Sequence, residues 1–262
     1  MTGWAARLGE RTFAFFSEIG YHFTLAAEAF WWTAVGGFVK QPVRLSLIIA
    51  ETMRVGVLAI PIAAVLCLAV GVMLAIQGIE NLRPYGAEDQ VVTGIALAIT
   101  REFSPLIVSI LVAGRSASAM TARIGTMMES QEIDAMRVIG VNPVRYLAAP
   151  MILGTLLAVP ALTVLGDVAG VLGGGLYASV ELHISLGAWI DESLRVLVVD
   201  DIRQGLIKSF VFALIIALVG VGNGFQVSGG AEGVGRSTTR SVVISISLIV
   251  LADMAFTWFL NR

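Results

Sequence analysis

Apolar residues along this chain gather into five long runs separated by short polar stretches. Val55 to Ile79 is 25 residues without a charge, interrupted by Pro61 and ending near Gln77-Gly78. A run of that length spans a bilayer as a helix. The proline predicts a kink, or a segment that enters and returns. Residues 80–90, ENLRPYGAEDQ, read as a polar loop. The remaining spans are expected at about 91–114, 146–180, 204–225 and 241–260. The third is longer than one straight crossing requires, so it is tilted, kinked or continued past the membrane. Gly166, Gly170 and Gly174 in it fall four apart, a small-residue face for close helix contact.

The segments between and before the spans mix charge with apolar residues. In residues 1–40, Phe13, Phe16, Phe23, Phe30, Trp31 and Trp32 alternate with Arg7, Glu10, Arg11, Glu18 and Glu28. This suits one or two helices in the headgroup region, aromatics inward and charges outward. An amphipathic helix packed on the rest of the chain is the alternative. Gly36-Gly37 and Pro42 break the pattern, and residues 43–54 form a short connector, so residues 1–54 read as an N-terminal region and 55–262 as the polytopic domain. Residues 181–203 are amphipathic and acidic. The stretch 115–145 predicts a short helix at 128–139, stopped by Gly140 and Asn142-Pro143. That helix either docks on a partner or lies on the membrane surface.

Composition agrees with a membrane protein. Of 262 residues 57% are apolar and 14% charged, against about 25% charged in a soluble domain, and mean hydropathy is +0.87. The expected fold is all-α, with about five transmembrane helices, an N-terminal interfacial helix, a cytoplasmic helix and an outer amphipathic helix. A net charge of −2 with scattered signs leaves no nucleic-acid footprint. Cys67 is the single cysteine, so no intramolecular disulfide forms, and His22 and His183 make a weak metal case. No secretory signal is read, because the first strong apolar run starts near Val55; direct insertion is expected. Loop arginines and lysines set orientation: four in 115–145, two in 226–240 and five before span one, against Arg83, Arg195 and Arg203 on the other side. The positive-inside rule then places the N-terminus in the cytoplasm.

Charges inside the spans carry the functional signal. Arg101 and Glu102 stand together in span two, Asp167 in span three, Lys208 in span four and Asp253 in span five. Each costs roughly 2.5–3.5 kcal/mol on insertion scales, so such residues are rare and tend to be functional. Two arrangements follow. The charges pair, Glu102 with Lys208 and Arg101 with Asp253, and hold helices together. Or they line a cavity with two cations and apolar walls, suited to an amphiphile with an anionic headgroup. Asp167 and Asp253 as proton carriers is weaker, since no ladder of carboxylates or histidines follows one helix. The phosphate-binding G-x-x-x-x-G-K-[ST] loop, H-E-x-x-H and G-x-S-x-G are all absent. No cofactor site is read, and energy for uphill movement has to come from a partner. An ion-coupled carrier acting alone is the rival reading, although no internal repeat supports it. An intramembrane lipid enzyme would need clustered catalytic groups that are not found.

REFSP, AGRSASAMTARIGTM, ESQEIDAM and GVNPVRY together closely resemble the MlaE-type permeases. These are membrane subunits of ABC transporters that serve MCE proteins in maintaining outer-membrane lipid asymmetry. The resemblance runs from LAIQG at Leu74 to the end, through LIKSFVFA and GVGRSTTRSVV. It implies a non-catalytic homodimeric permease in the bacterial inner membrane. ATPase subunits would sit below, binding the ATP, with a hexameric MCE protein above and in some systems a STAS-domain protein on the ATPase. Glycerophospholipid would be the substrate. Roles around the lipid path are implied for Arg101, Glu102 and Lys208, and for Arg236 or Arg240, although the topology above sets those two at the cytoplasmic end. Apolar wall positions fall on Leu74, Leu82, Tyr85 and Phe103. ESQEIDAM is then the coupling helix seated in the ATPase, through Glu129, Glu132, Ile133, Asp134 and Met136. The chain departs from the family's usual pattern at Met128, where a basic residue is common, and at Gln131-Glu132, where Glu-Gln is common.

Overall fold

The structure, a computed structural model, describes residues 2–36 and 42–260. It is helical throughout, with no strand among the described residues. Helix α1 (Thr2–Val35) precedes α2 (Leu45–Gly56), α3 (Ile60–Leu82), α4 (Gln90–Ala98), α5 (Ser104–Val112) and α6 (Ser118–Glu129). Then come α7 (Glu132–Val138), α8 (Ala149–Glu181), α9 (Leu186–Val196), α10 (Val199–Phe225) and α11 (Gly230–Leu260). Joined across tight or wide turns, these make five segments long and apolar enough to cross a membrane: Leu45–Tyr85, Gln90–Glu129, Val144–Glu181, Val199–Phe225 and Gly230–Phe259. The expected all-α membrane fold is the observed one.

Prolines explain where the segments change pitch. A proline lacks an N–H and its ring presses on the carbonyl four residues earlier. Pro61 is preceded by a 3₁₀ turn at Val57–Ala59, so the connector 43–54 and span one run on as one segment. Pro105 follows a π-helical turn at Ile99–Phe103, and Pro150 follows another at Val144–Ala148. The wider π turn absorbs the carbonyl that the proline leaves unpaired. Pro160 stays within α8 without breaking it.

Helix α8 is the centre of the bundle: 67% of its most apolar stretch is buried, against 11% for that of α11. Glycine allows the closest approach. A Cβ on Gly71 would lie 1.9 Å from the carbonyl oxygen of Gly170, and one on Gly173 would lie 2.2 Å from that of Leu68. Backbone thus meets backbone between α3 and α8, which supplies the packing that a lipid solvent does not drive. The small-residue face serves several neighbours, since Gly166 meets Cys67 of α3 and Ser104 of α5 while Gly174 meets Ile95 of α4 and Trp189 of α9. Gly56 lies against Ala158 and Gly71 against Gly170, so α2–α3 and α8 run parallel. Arg83 and Glu181 pair at their far ends.

Several boundaries differ from expectation. Helix α6 continues the second segment to Glu129, so half of the expected 115–145 loop is helix. The short helix starts at Glu132, after a turn in which Gln131 takes φ 60°. Asp200 and Asp201 belong to α10, which begins at Val199. The expected 226–240 loop is helical from Gly230, because the positive φ angles of Gly229 and Gly230 complete the turn within four residues. Helix α1 is a single helix that docks through buried Leu25 and Ala29 and leaves Phe13, Phe16, Phe23 and Phe30 at least 64% exposed. Gly37 and the side chains of Arg7, Glu10 and Arg11 lie outside the described residues.

Candidate functional site

The π turn before Pro105 carries Arg101 and Glu102 on a widened ring and sends them to different partners. Arg101 turns to the first turn of α10, where its Nε donates to Asp201 Oδ1 at 2.7 Å and its Nη2 stands 2.5 Å from the same atom. Asp201 Oδ2 accepts from the backbone N–H of Val198 at 2.9 Å, so one carboxylate caps α10 and holds the arginine. Glu102 takes the ammonium of Lys208, which is fully buried. Lys208 Nζ also stands 3.0 Å from Asp253 Oδ1, at ion-pair distance without hydrogen-bond alignment. It donates to Thr257 Oγ1 at 3.2 Å, and that hydroxyl donates on to Glu102 at 3.2 Å.

Of the two pairs expected if the charges hold helices together, Glu102 with Lys208 forms, and Arg101 with Asp253 does not. The structure corrects the second: Arg101 pairs with Asp201, and Asp253 shares Lys208 with Glu102. Adjacent residues on a helix point about 100° apart, so Arg101 and Glu102 reach different helices. Two cations and three carboxylates meet here, so at formal charges neither cation is free. Arg101 and Glu102 keep side-chain exposures of 36% and 29%, whereas Asp201 keeps 3%. The exposed members of both pairs therefore lie on the same turn.

An apolar recess of about 260 Å³ opens between α3 and α4 and reaches Ala98, the residue before the π turn. Leu74 and Leu82 line it. Phe103 packs on the same hydrophobic cluster, and Tyr85 stands 81% exposed on the turn after α3. Leu74, Leu82 and Phe103 thus share one hydrophobic cluster, and Phe103 closes the π turn that carries Arg101 and Glu102. Arg236 and Arg240 lie elsewhere. Arg240 lies thirteen residues before Asp253 on α11, about 20 Å along the axis, and pairs with Glu18 of α1 at 2.7 Å. Arg236 is exposed near the start of α11.

At the end of the bundle that holds α7, Glu129, Glu132 and Asp134 are exposed and Met136 is half-buried. Ile133 is wholly buried in the main core, so it anchors α7 and presents nothing outward. Val138 and Ile139 stand 87% and 74% exposed. Sequence reasoning passed over Asp201 and Thr257. Helical spacing marks both: Thr257 falls four residues after Asp253 and Lys208 seven after Asp201, each on a shared face. Among the described residues no group of histidine, cysteine and carboxylate side chains could hold a metal.

Residues 48–259 match the family model described as Permease MlaE. A probable ABC transporter permease protein of Rickettsia typhi is 32% identical over 255 residues, covering 97% of this chain and 96% of its own. A probable ABC transporter permease protein of Synechocystis is 32% identical over 79% of this chain and 78% of its own. The chloroplastic protein Trigalactosyldiacylglycerol 1 of Arabidopsis thaliana is 38% identical over 190 residues, 72% of this chain and 54% of its own. With five membrane-crossing segments, charges gathered at the π turn of the second, and a family match over most of its length, this chain belongs to the MlaE permease family.

Proposed function

We propose that the chain is the permease subunit of an ABC transporter that moves glycerophospholipid between the inner membrane and an MCE protein of the cell envelope. A separate ATPase drives it, and the permease works as a homodimer. The observation that carries this reading is the mainly apolar recess walled by Leu74 and Leu82, with Gln77, Asn81 and Gln90 among its lining, that reaches Ala98 just before the charged π turn. Acyl chains suit its walls, and a phosphate suits the exposed guanidinium of Arg101, which would exchange Asp201 for the lipid. Sparse burial on α11 (11%) and on the first segment (22%) supports a second copy and lipid as their neighbours.

Coupling follows from continuity. The second segment is helical from Gln90 to Glu129, so the turn at Arg101 and the exposed acids beside α7 share one axis. Glu129 lies 28 residues beyond Arg101, about 42 Å along it. An ATPase that moves α7 would move that axis. The basic segments expected at this end put it in the cytoplasm by the positive-inside rule.

Purification of the tagged chain from its own membrane in mild detergent, with mass spectrometry of what stays bound, tests the proposal. An ATPase, an MCE protein and phospholipid in the eluate are expected. A chain that comes away alone and moves an ion in liposomes would overturn it in favour of a carrier built on Glu102, Asp167, Lys208 and Asp253.

A further inference from the structure

A second group of charges lies well away from the Arg101 turn and is left over by the function proposed above. Arg54 on α2, Arg115 on the π turn Ala113–Ala117 and Arg123 on α6 surround a recess of about 280 Å³. One carboxylate faces them. Glu51 Oε1 lies 3.2 Å from Arg54 Nη1 and 2.8 Å from Arg123 Nη2. Gly154 of α8 leaves room for that side chain, since a Cβ there would come within 2.7 Å of Glu51 Cβ.

The count does not balance. Three guanidinium groups meet one carboxylate, and no other acid lines the recess. The imbalance shows in individual atoms: Arg115 Nη1 and Arg123 Nε are both buried and have no acceptor. A charged donor left unpaired away from water is among the most costly states for a polar group. Snorkelling arginines would turn those N–H groups outward to water or headgroups. These two are buried instead, on arginines that line the recess together with Val55 and Met120. Depth gives the last element. Arg54 immediately precedes the long uncharged run and Arg115 immediately ends the one after Glu102, which is where headgroups meet acyl chains.

We infer that this recess binds a phosphate oxyanion, supplied by a membrane lipid headgroup or by free phosphate. The oxyanion accepts from the guanidinium groups of Arg115 and Arg123, which turn toward it to give their unpaired N–H groups an acceptor, while Glu51 holds Arg54 and Arg123 in place. The site is separate from the Arg101 turn, since Arg115 lies fourteen residues further along the same segment, about 21 Å. It does not depend on which lipid the permease moves.

The test uses the full chain in dodecyl maltoside, titrated with dioleoylphosphatidylglycerol and read by native mass spectrometry. Each titration is repeated in an Arg101→Gln/Glu102→Gln background, to remove lipid held at the other cluster. One saturable phosphatidylglycerol per chain is expected in that background, weakened about tenfold by Arg115→Gln, the loss of one charged hydrogen bond. Ala119→Phe, at an exposed position on the recess, fills it with every charge retained and should weaken binding as much. Dioleoylglycerol, which lacks the phosphate, should not compete. Competition by millimolar inorganic phosphate identifies free anion as the source, and its failure identifies the lipid. Equal retention in the parent and both variants, or equal binding of dioleoylglycerol, would overturn the inference.

Discussion

Arg101 and Asp201, a hundred residues apart in sequence, meet at 2.7 Å where the second and fourth segments cross. Asp201 is 3% exposed and also caps α10. The pair therefore fastens the start of one helix to the π turn of another, while Arg101 keeps 36% of its side chain exposed. Replacing Asp201 with Asn should remove the charge and weaken the cap. A loss of about 1–2 kcal/mol is expected, measured by thermal unfolding in detergent, and lipid headgroups should reach Arg101 more easily. Unchanged stability together with unchanged lipid binding would show that the pair does neither.

Lys208 has no exposed surface and two carboxylates. Lys208→Met strands Glu102 and Asp253 in an apolar setting and should cost about 3–5 kcal/mol. Adding Glu102→Gln and Asp253→Asn to it should recover much of that loss, since no charge is then left without a partner. Fluorescence-detected size exclusion after heating separates the two outcomes.

Glu102→Ala or Arg101→Ala should impair lipid transport in reconstituted vesicles while the chain is still made and inserted. Both side chains keep about a third of their surface exposed, so truncation opens no closed cavity. Complete loss of folded protein would instead assign the pair to holding helices together.

At α7 the exposed and buried residues should behave oppositely. Glu129→Lys with Glu132→Lys reverses two exposed charges and should weaken attachment of the ATPase at unchanged thermal stability, read by co-purification. Ile133→Ala removes a fully buried side chain and should cost about 2–5 kcal/mol. ATPase retention by the double reversal would remove α7 as the docking element.

Helix α1 has a pH signature. The His22 ring lies against Gly222 of α10, where a Cβ would come within 2.3 Å of it. Burial, the largest influence, holds its pKa below the ordinary 6.5, with Glu18 opposing. A depressed histidine pKa means that the unfolded chain binds the proton more readily. The stabilisation is whole above 6.5, and falls as pH drops through that value toward the lower folded pKa. Protease protection of α1 should therefore weaken on acidification from pH 7.5 to 5, and His22→Gln should flatten the profile.

Much of this protein was written in its hydrophobic pattern. Hydrocarbon offers no hydrogen bonds, so an uncharged run such as Val55–Ile79 has to be helical, and five such runs make five crossings. Gly166, Gly170 and Gly174 marked a packing face for the same reason, and Pro61 marked a change of pitch. The charges were legible one at a time, because a charge among apolar residues stands out on any reading. Their pairing was legible only in part: Glu102 meets Lys208 as expected, but Arg101 does not meet Asp253. Whether Arg101 meets Asp201 or Asp253 depends on a π turn that rotates its neighbours, and on how far α10 extends beyond its apolar part. Likewise Ile133 was expected to contact the ATPase and is an anchor, and Glu51, within the connector 43–54, faces two arginines. Local sequence determines where a helix forms, because its hydrogen bonds close within four residues. Which side chains meet is settled by the packing of helices far apart in the chain, and only the tertiary structure holds that information.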